Sequence, residues 1–174
     1  MLDKLIDFLL GLIDHINPFV IVKEYEQAVL LRNGKFKKVW DAGLHFKLPF
    51  IDMHIEQHTM WTTLTLPAQS LVTDDEHNIV VKSVVKYRIS DVKTFCLELY
   101  DNVDAISDIS QGVIKYILMS KNWEDCIGDD IDNLITKKIR SEVKKYGVEI
   151  GQVTLTDIAK IRTMRIINEK INNS

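Results

Sequence analysis

His54 and His58, four residues apart, are the first pair in this 174-residue chain whose type and spacing could do chemistry. On a helix that spacing would aim both imidazoles at one metal ion. The residues around them alternate instead, with Ile51, Met53 and Ile55 at every second position. Along a strand, four residues span about 13 Å, so the pattern reads as two strand histidines and no metal site. Asp74-Asp75-Glu76 and Asp129-Asp130-Asp132 supply carboxylates, but neither has the spacing of a hand-type calcium loop. The first lies in a turn composition, Thr73 to Asn78. The second precedes an apolar helical pattern, where negative charge favours a helix start. Trp40, Trp61 and Trp123 read as core or interface residues rather than walls of a ligand pocket.

No Gly-rich dinucleotide fingerprint, phosphate loop, nucleophile elbow, zincin helix or Cys-x-x-Cys pair occurs in the chain. Nothing in it specifies catalysis or calls for a cofactor. The formal charge is -3. Acidic residues offset the basic run at Lys137, Lys138 and Arg140, which argues against nucleic acid as a partner. Cys96 and Cys126 are far apart and form no disulfide framework, a usage that suits a reducing, cytoplasmic setting. With 46% hydrophobic and 27% charged residues, the composition is that of an ordinary folded domain.

The elements that would carry these residues follow from periodicity. Asn33-Gly34 separates Ala28–Leu31 from Phe36–Val39, the sequence of a hairpin whose turn needs positive φ at both central residues. A second turn is expected at Asp41-Ala42-Gly43, followed by Leu44, Phe46 and Leu48 in alternation up to Pro49. Ile79 to Ile89 is the cleanest strand: Ile79, Val81, Val85, Tyr87 and Ile89 share one face, with Lys82, Lys86 and Arg88 on the other. The period then lengthens. Val103, Ile106, Ile109, Val113, Ile114 and Ile117 mark one helix, N-capped by Asp101 or Asn102; Ile131, Leu134, Ile135, Ile139, Val143 and Tyr146 mark another, stopped by Gly147. Val148–Leu155 reads as a late strand bulged at Gly151, and a last helix is expected from Asp157, with Ile158, Ile161, Met164, Ile167 and Ile171 along one stripe. Strands first, then helices, then a strand indicate an α+β fold.

Met1 to Asn17 places Leu2, Leu5, Ile6, Leu9, Leu12, Ile13 and Ile16 on one helical face, with Asp3, Lys4, Asp7, Asp14 and His15 opposite. The segment is too short and charged to span a bilayer, and its acidic residues do not suit a signal peptide. An in-plane membrane helix and a helix packed on protein both fit.

Several segments, in their order, resemble the SPFH/band 7 (stomatin/prohibitin/flotillin-like) family. These are Val29–Lys35 with Ala42-Gly43-Leu44-His45-Phe46-Lys47-Leu48-Pro49-Phe50-Ile51-Asp52; Leu71–Asp75 with the Ile79–Ile89 strand; and Tyr146–Ile150 with Val153–Ile158. Ala42 stands where the family commonly has proline, and Ala159-Lys160-Ile161 where another proline often follows. The long coiled coil that follows in the family corresponds here to the helix expected over 158–174. The resemblance implies an amphipathic membrane-associating helix over 1–17, an SPFH domain over 18–157 and that C-terminal helix. It also implies a non-catalytic, homo-oligomeric scaffold, peripheral on the cytoplasmic face of a membrane. Such a scaffold would organise a lipid microdomain or regulate a membrane protease or channel. The implied lipid-touching residues are the apolar face of 1–17 together with Phe46, Leu48 and Phe50; the implied subunit contacts are Ile161, Met164, Ile167 and Ile171. The other class that fits these features is a soluble interaction module or inhibitor that buries the N-terminal helix and the C-terminal stripe against a partner protein.

Overall fold

The computed structural model describes residues 18–161. Strands β1 (Phe19–Val22), β2 (Glu26–Arg32), β3 (Lys35–Trp40), β4 (Gly43–Phe46), β5 (Asp52–His58), β6 (Thr62–Val72) and β7 (Asn78–Ile89) come first. Helices α1 (Val92–Glu98), α2 (Asn102–Met119), α3 (Trp123–Cys126) and α4 (Ile131–Val143) follow. A 3₁₀ turn (Lys144–Tyr146) then leads into β8 (Val148–Lys160). All strand pairs are antiparallel, in three sheets ordered β1-β4, β3-β2-β5 and β6-β7-β8. This is the expected α+β arrangement. The N-terminal helix assigned to 1–17 lies outside the described residues.

The expected hairpin joins β2 and β3, with Asn33 at φ 50° and Gly34 at φ 74°, both left-handed as a tight hairpin turn requires. On β7 the alternation does as it promised. Ile79, Val81, Val85, Tyr87 and Ile89 are buried and form the main core with Ile106, Ile114, Leu118, Ile135, Ile139 and Val143 of α2 and α4. Gly147 takes the left-handed φ of 73° that ends the helical segment, and its carbonyl accepts from the N–H groups of Ser90 and Asp91. A Cβ there would run into the Asp91 carbonyl oxygen, so only glycine fits.

β8 carries the expected extra residue at Gly151: Lys86 faces Gln152 and Tyr87 faces Ile150, leaving Gly151 unpaired. The structure corrects the helix expected from Asp157. The strand continues to Lys160, with Asp157 opposite Lys82, Ile158 opposite Val81 and Lys160 opposite Ile79. Ile158 packs on the core and the Ile161 N–H donates to the Asn78 carbonyl at 2.8 Å. The three-residue step from Ile158 to Ile161 mimics a helix, but β7 offers a ladder partner for every residue in between, and that pairing overrides the local pattern. Ile161 is therefore tied to the end of the sheet rather than being the head of a helical stripe; Met164, Ile167 and Ile171 lie outside the described residues.

The outer edge of β8 is closed by one face of α4. Asp132 Oδ1 accepts from the Leu155 N–H (3.2 Å), and Thr136 Oγ1 accepts from the Val153 N–H (2.9 Å). Arg140 donates through Nε to the Ile150 carbonyl and through Nη2 to the Gly151 carbonyl, each at 3.0 Å. Spacing of four residues puts all three side chains on one helical stripe. Backbone groups that would otherwise be an open sheet edge are thereby satisfied. Thr136→Val keeps the shape and removes the acceptor for a buried N–H. It is expected to lower stability by about 1–3 kcal/mol, measured by urea unfolding, whereas Thr136→Ser should stay near the parent.

Candidate functional site

β1 is too short to form a stable layer alone, and it is held by what it buries. Val20 and Val22 point inward onto Ala28 and Leu30 of β2 and Trp40 of β3, a second small core. The alternation that turns these valines inward turns Phe19 and Ile21 outward. On β4, Leu44 pairs with Ile21 and Phe46 with Phe19, so the outer face of the ribbon is apolar along its length. The Phe19 and Phe46 rings meet edge-to-face, 6.0 Å between centroids. Ile21 is 72% exposed. On the other face of β4, His45 stacks on Trp40 at 4.8 Å, which fixes the strand against the sheet below.

Beyond Phe46 the chain makes a turn whose geometry is set by one carboxylate. Asp52 has a fully buried side chain and receives a two-point contact from Arg32, Nε to Oδ1 at 2.7 Å and Nη2 to Oδ2 at 2.9 Å. The same carboxylate accepts from the Leu48 N–H at 2.9 Å. The Asp52 N–H donates to the Leu48 carbonyl and the Asn33 N–H to the Ile51 carbonyl, each at 3.0 Å. Inside this clamp Phe50 adopts φ 68°, a left-handed conformation unfavourable for a bulky residue, and its ring is 84% exposed. An aromatic ring held in strained backbone and pushed into solvent is a feature the rest of the loop must over-determine. Ile51 and Met53 beside it are also exposed.

The structure thus gathers Phe46 with Phe19, Ile21 and Leu44 on the exposed face of the ribbon, and leaves Phe50 exposed in the turn that follows. Leu48 is half-buried, anchoring the turn through its backbone. Sequence reasoning missed Phe19, Ile21 and Leu44 as surface residues. The signal was the period-two alternation from Phe19 to Val22, which does not by itself say which face is buried. Arg32 and Asp52 were also missed; they are twenty residues apart and only the β2–β5 register brings them level.

The other candidates fall elsewhere. His54 Nε2 lies 3.3 Å from Glu56 of β5 and His58 Nδ1 3.5 Å from Glu26 of β2, each beside a different carboxylate. Among the described residues no three His, Cys, Asp or Glu side chains converge as metal ligands. Asp75 closes its turn, accepting from the Thr73 hydroxyl and from the Trp123 N–H that opens α3. Trp61 covers Gly151, with the Arg88 guanidinium 4.8 Å from its ring. Trp123 lies under the Lys160 ammonium at 4.6 Å. Cys96 is half-buried and Cys126 buried, both as free thiols, and burial pushes both thiols up in pKa. Among the described residues no helix is long and apolar enough to cross a membrane.

Residues 20–172 match the model of the SPFH domain / Band 7 family. The chain belongs to this family. Its SPFH domain is similar to an uncharacterized protein of Archaeoglobus fulgidus, 26% identical over 84% of this chain and 60% of that protein. It is also similar to a stomatin homologue of Pyrococcus horikoshii, 24% identical over 79% of this chain and 53% of the homologue. The modulator of FtsH protease HflC of Escherichia coli is 31% identical over 78% of this chain and 38% of its own length. The chain thus spans between a third and two thirds of the length of these three relatives.

The Arg32 guanidinium holds the Asp52 carboxyl at about 2, below the ordinary carboxylate range, with help from the Leu48 N–H. A carboxyl lowered in the folded state contributes stability that is complete above its unfolded pKa, about 3.9, and is lost as pH falls towards the folded value. Melting temperature is therefore expected to drop between about pH 4 and pH 2. Asp52→Asn, already uncharged, should melt lower at pH 7 and lose less over the same interval, as followed by circular dichroism.

Proposed function

We propose that this SPFH protein is a non-catalytic, membrane-associated scaffold that sets the outer face of the β1–β4 ribbon and the Phe50 turn against a lipid bilayer. The observation that carries the reading is the exposure of Phe19, Ile21, Leu44 and Phe46 on the outer face of the ribbon, with Phe50 exposed four residues beyond Phe46. Monomeric soluble domains keep exposed apolar residues scattered, and a contiguous patch marks an interaction surface. The Phe50 turn points the same way, because the Arg32–Asp52 clamp holds it with the ring in solvent. Residues 1–17 join the ribbon at Pro18, whose carbonyl accepts from the Lys47 N–H at 2.7 Å. An amphipathic helix over 1–17 would therefore enter beside the same surface, with Leu2, Leu5, Ile6, Leu9, Leu12, Ile13 and Ile16 facing the acyl chains. A cytoplasmic, peripheral position, homo-oligomeric assembly and a role in a lipid microdomain complete the proposal. The likeness to HflC makes a membrane protease the client class to try first.

The test is co-sedimentation of the full chain with phospholipid vesicles, beside Phe50→Gly and Phe46→Ser. Glycine relieves the left-handed strain, so Phe50→Gly should melt at or above the parent temperature. Losing one buried aromatic ring, worth about 1.5–3 kcal/mol, should weaken vesicle binding roughly tenfold or more. Unchanged binding in both variants, or no binding by the full chain, overturns the reading in favour of a soluble interaction module. Light scattering of the same samples reports assembly.

A further inference from the structure

The charges around the apolar ribbon are distributed unevenly along it. One end carries Val22 opposite Gly43, and there the chain continues into Glu24 and Asp41, both exposed. Asp41 is held by the Gln27 side-chain amide at 2.7 Å, and Lys23, the cation beside it among the described residues, is taken up by Glu26 at 3.3 Å. The opposite end carries Phe19, Phe46 and the Phe50 turn. Lys47 follows Phe46 directly, and Lys35 stands opposite Arg32 in the β2–β3 register, level with Asp52 in the β2–β5 register. Lys38 stands opposite Leu30, one of the residues on which the ribbon packs, and Lys37 is the extra residue of the bulge between them.

The Asp52 charge at this end is already consumed by Arg32. Lys35, Lys37 and Lys38 are exposed and Lys47 half-exposed, and none forms an ion pair with a described residue. An apolar tip with a collar of unneutralised ammonium groups is matched chemically by acyl chains beneath a layer of anionic headgroups. Asp3, Asp7 and Asp14 make the polar side of residues 1–17 unsuited to supply that attraction. The lysines at the Phe50 end of the folded domain can supply it.

We infer that the Phe50 end of the ribbon docks on bilayers carrying anionic phospholipid, with Lys35, Lys37, Lys38 and Lys47 facing the headgroup phosphates while Phe46 and Phe50 enter the interface. This rests on the bilayer-docking reading above and narrows it to a lipid class and an orientation: the Phe50 end lies against the membrane and the Glu24/Asp41 end is held away from it.

The experiment compares the full chain on vesicles of phosphatidylcholine alone and of phosphatidylcholine mixed with phosphatidylglycerol, each at low and high salt. Each lysine near an anionic surface is worth roughly a fivefold change in partition. Binding to the mixed vesicles should be more than about tenfold tighter and should fall with salt as the charges are screened. Replacing Lys35, Lys38 and Lys47 together with Gln should abolish the difference between the two lipids. Replacing the exposed Lys115, Lys137 and Lys144, on α2, α4 and the 3₁₀ turn, changes net charge equally and should preserve it. Equal, salt-insensitive binding to both vesicles, with Phe50→Gly still weakening it, overturns the anionic-lipid inference and leaves bilayer docking standing. An equal loss in the Lys115/Lys137/Lys144 variant also overturns it, since net charge rather than the collar would then be responsible. Failure to bind either vesicle overturns both, and leaves residues 1–17 or a second copy of the chain as the cover of the ribbon.

Discussion

A central strand needs hydrogen-bonding neighbours on both sides, and β7 obtains them from β6 and from the whole length of β8. That requirement propagates outward. β8 is thirteen residues long and would expose its own far edge, which is a template for uncontrolled pairing. α4 removes the hazard over Ile150–Leu155 with three side chains on one stripe, Asp132, Thr136 and Arg140. The core then follows: Ile135, Ile139 and Val143 of the same helix bury themselves against Val153 and the β7 residues beneath. The helix is positioned by a polar edge as much as by an apolar face, and Gly147 is the one residue that can turn the chain between the two elements.

The β1–β4 ribbon obeys a different logic. It contributes only Val20 and Val22 to the interior, and its outer residues are as apolar as its inner ones. A solvent-facing two-stranded ribbon would ordinarily carry polar residues on that side, since apolar ones there gain nothing from folding. Leu44 and Ile21 opposite each other on the outside therefore gain nothing from the folding of the described residues alone. Phe50 adds the same argument in backbone terms: its left-handed conformation is retained because the Arg32–Asp52 pair and the Leu48 N–H leave the turn no alternative.

Local signals were legible and long-range ones were not. Asn33-Gly34 announced its hairpin because the turn's chemistry lies in two adjacent residues. Gly151 announced a bulge, and Gly147 a stop, for the same reason. β6 was obscured by Pro67, which is tolerated because the strand is an edge and bulged there, the register passing from Leu66–Ser83 to Gln69–Val81. The continuation of β8 to Lys160 was hidden because its i, i+3 isoleucines satisfy a helical period and only the length of β7 decides otherwise. At the candidate site, the resemblance to the family singled out Phe46 and Phe50. Their partners Phe19, Ile21 and Leu44 required the β1–β4 register, and the Arg32–Asp52 clamp required the β2–β5 register.

The clamp explains why an apolar surface and a cationic collar can share one end of the domain. A carboxylate at position 52 with its charge free would cancel one of the nearby lysines and would need water to solvate it. Buried under Arg32, it needs no water, and its lone pairs are used to shape the turn. Arg32 is the residue type suited to this, since its planar guanidinium matches both carboxylate oxygens at once. The pair is electrically silent towards the outside, so the field at that end is set by Lys35, Lys37, Lys38 and Lys47. One non-local ion pair therefore fixes the shape of the Phe50 turn and leaves the sign of the charge around it to the lysines.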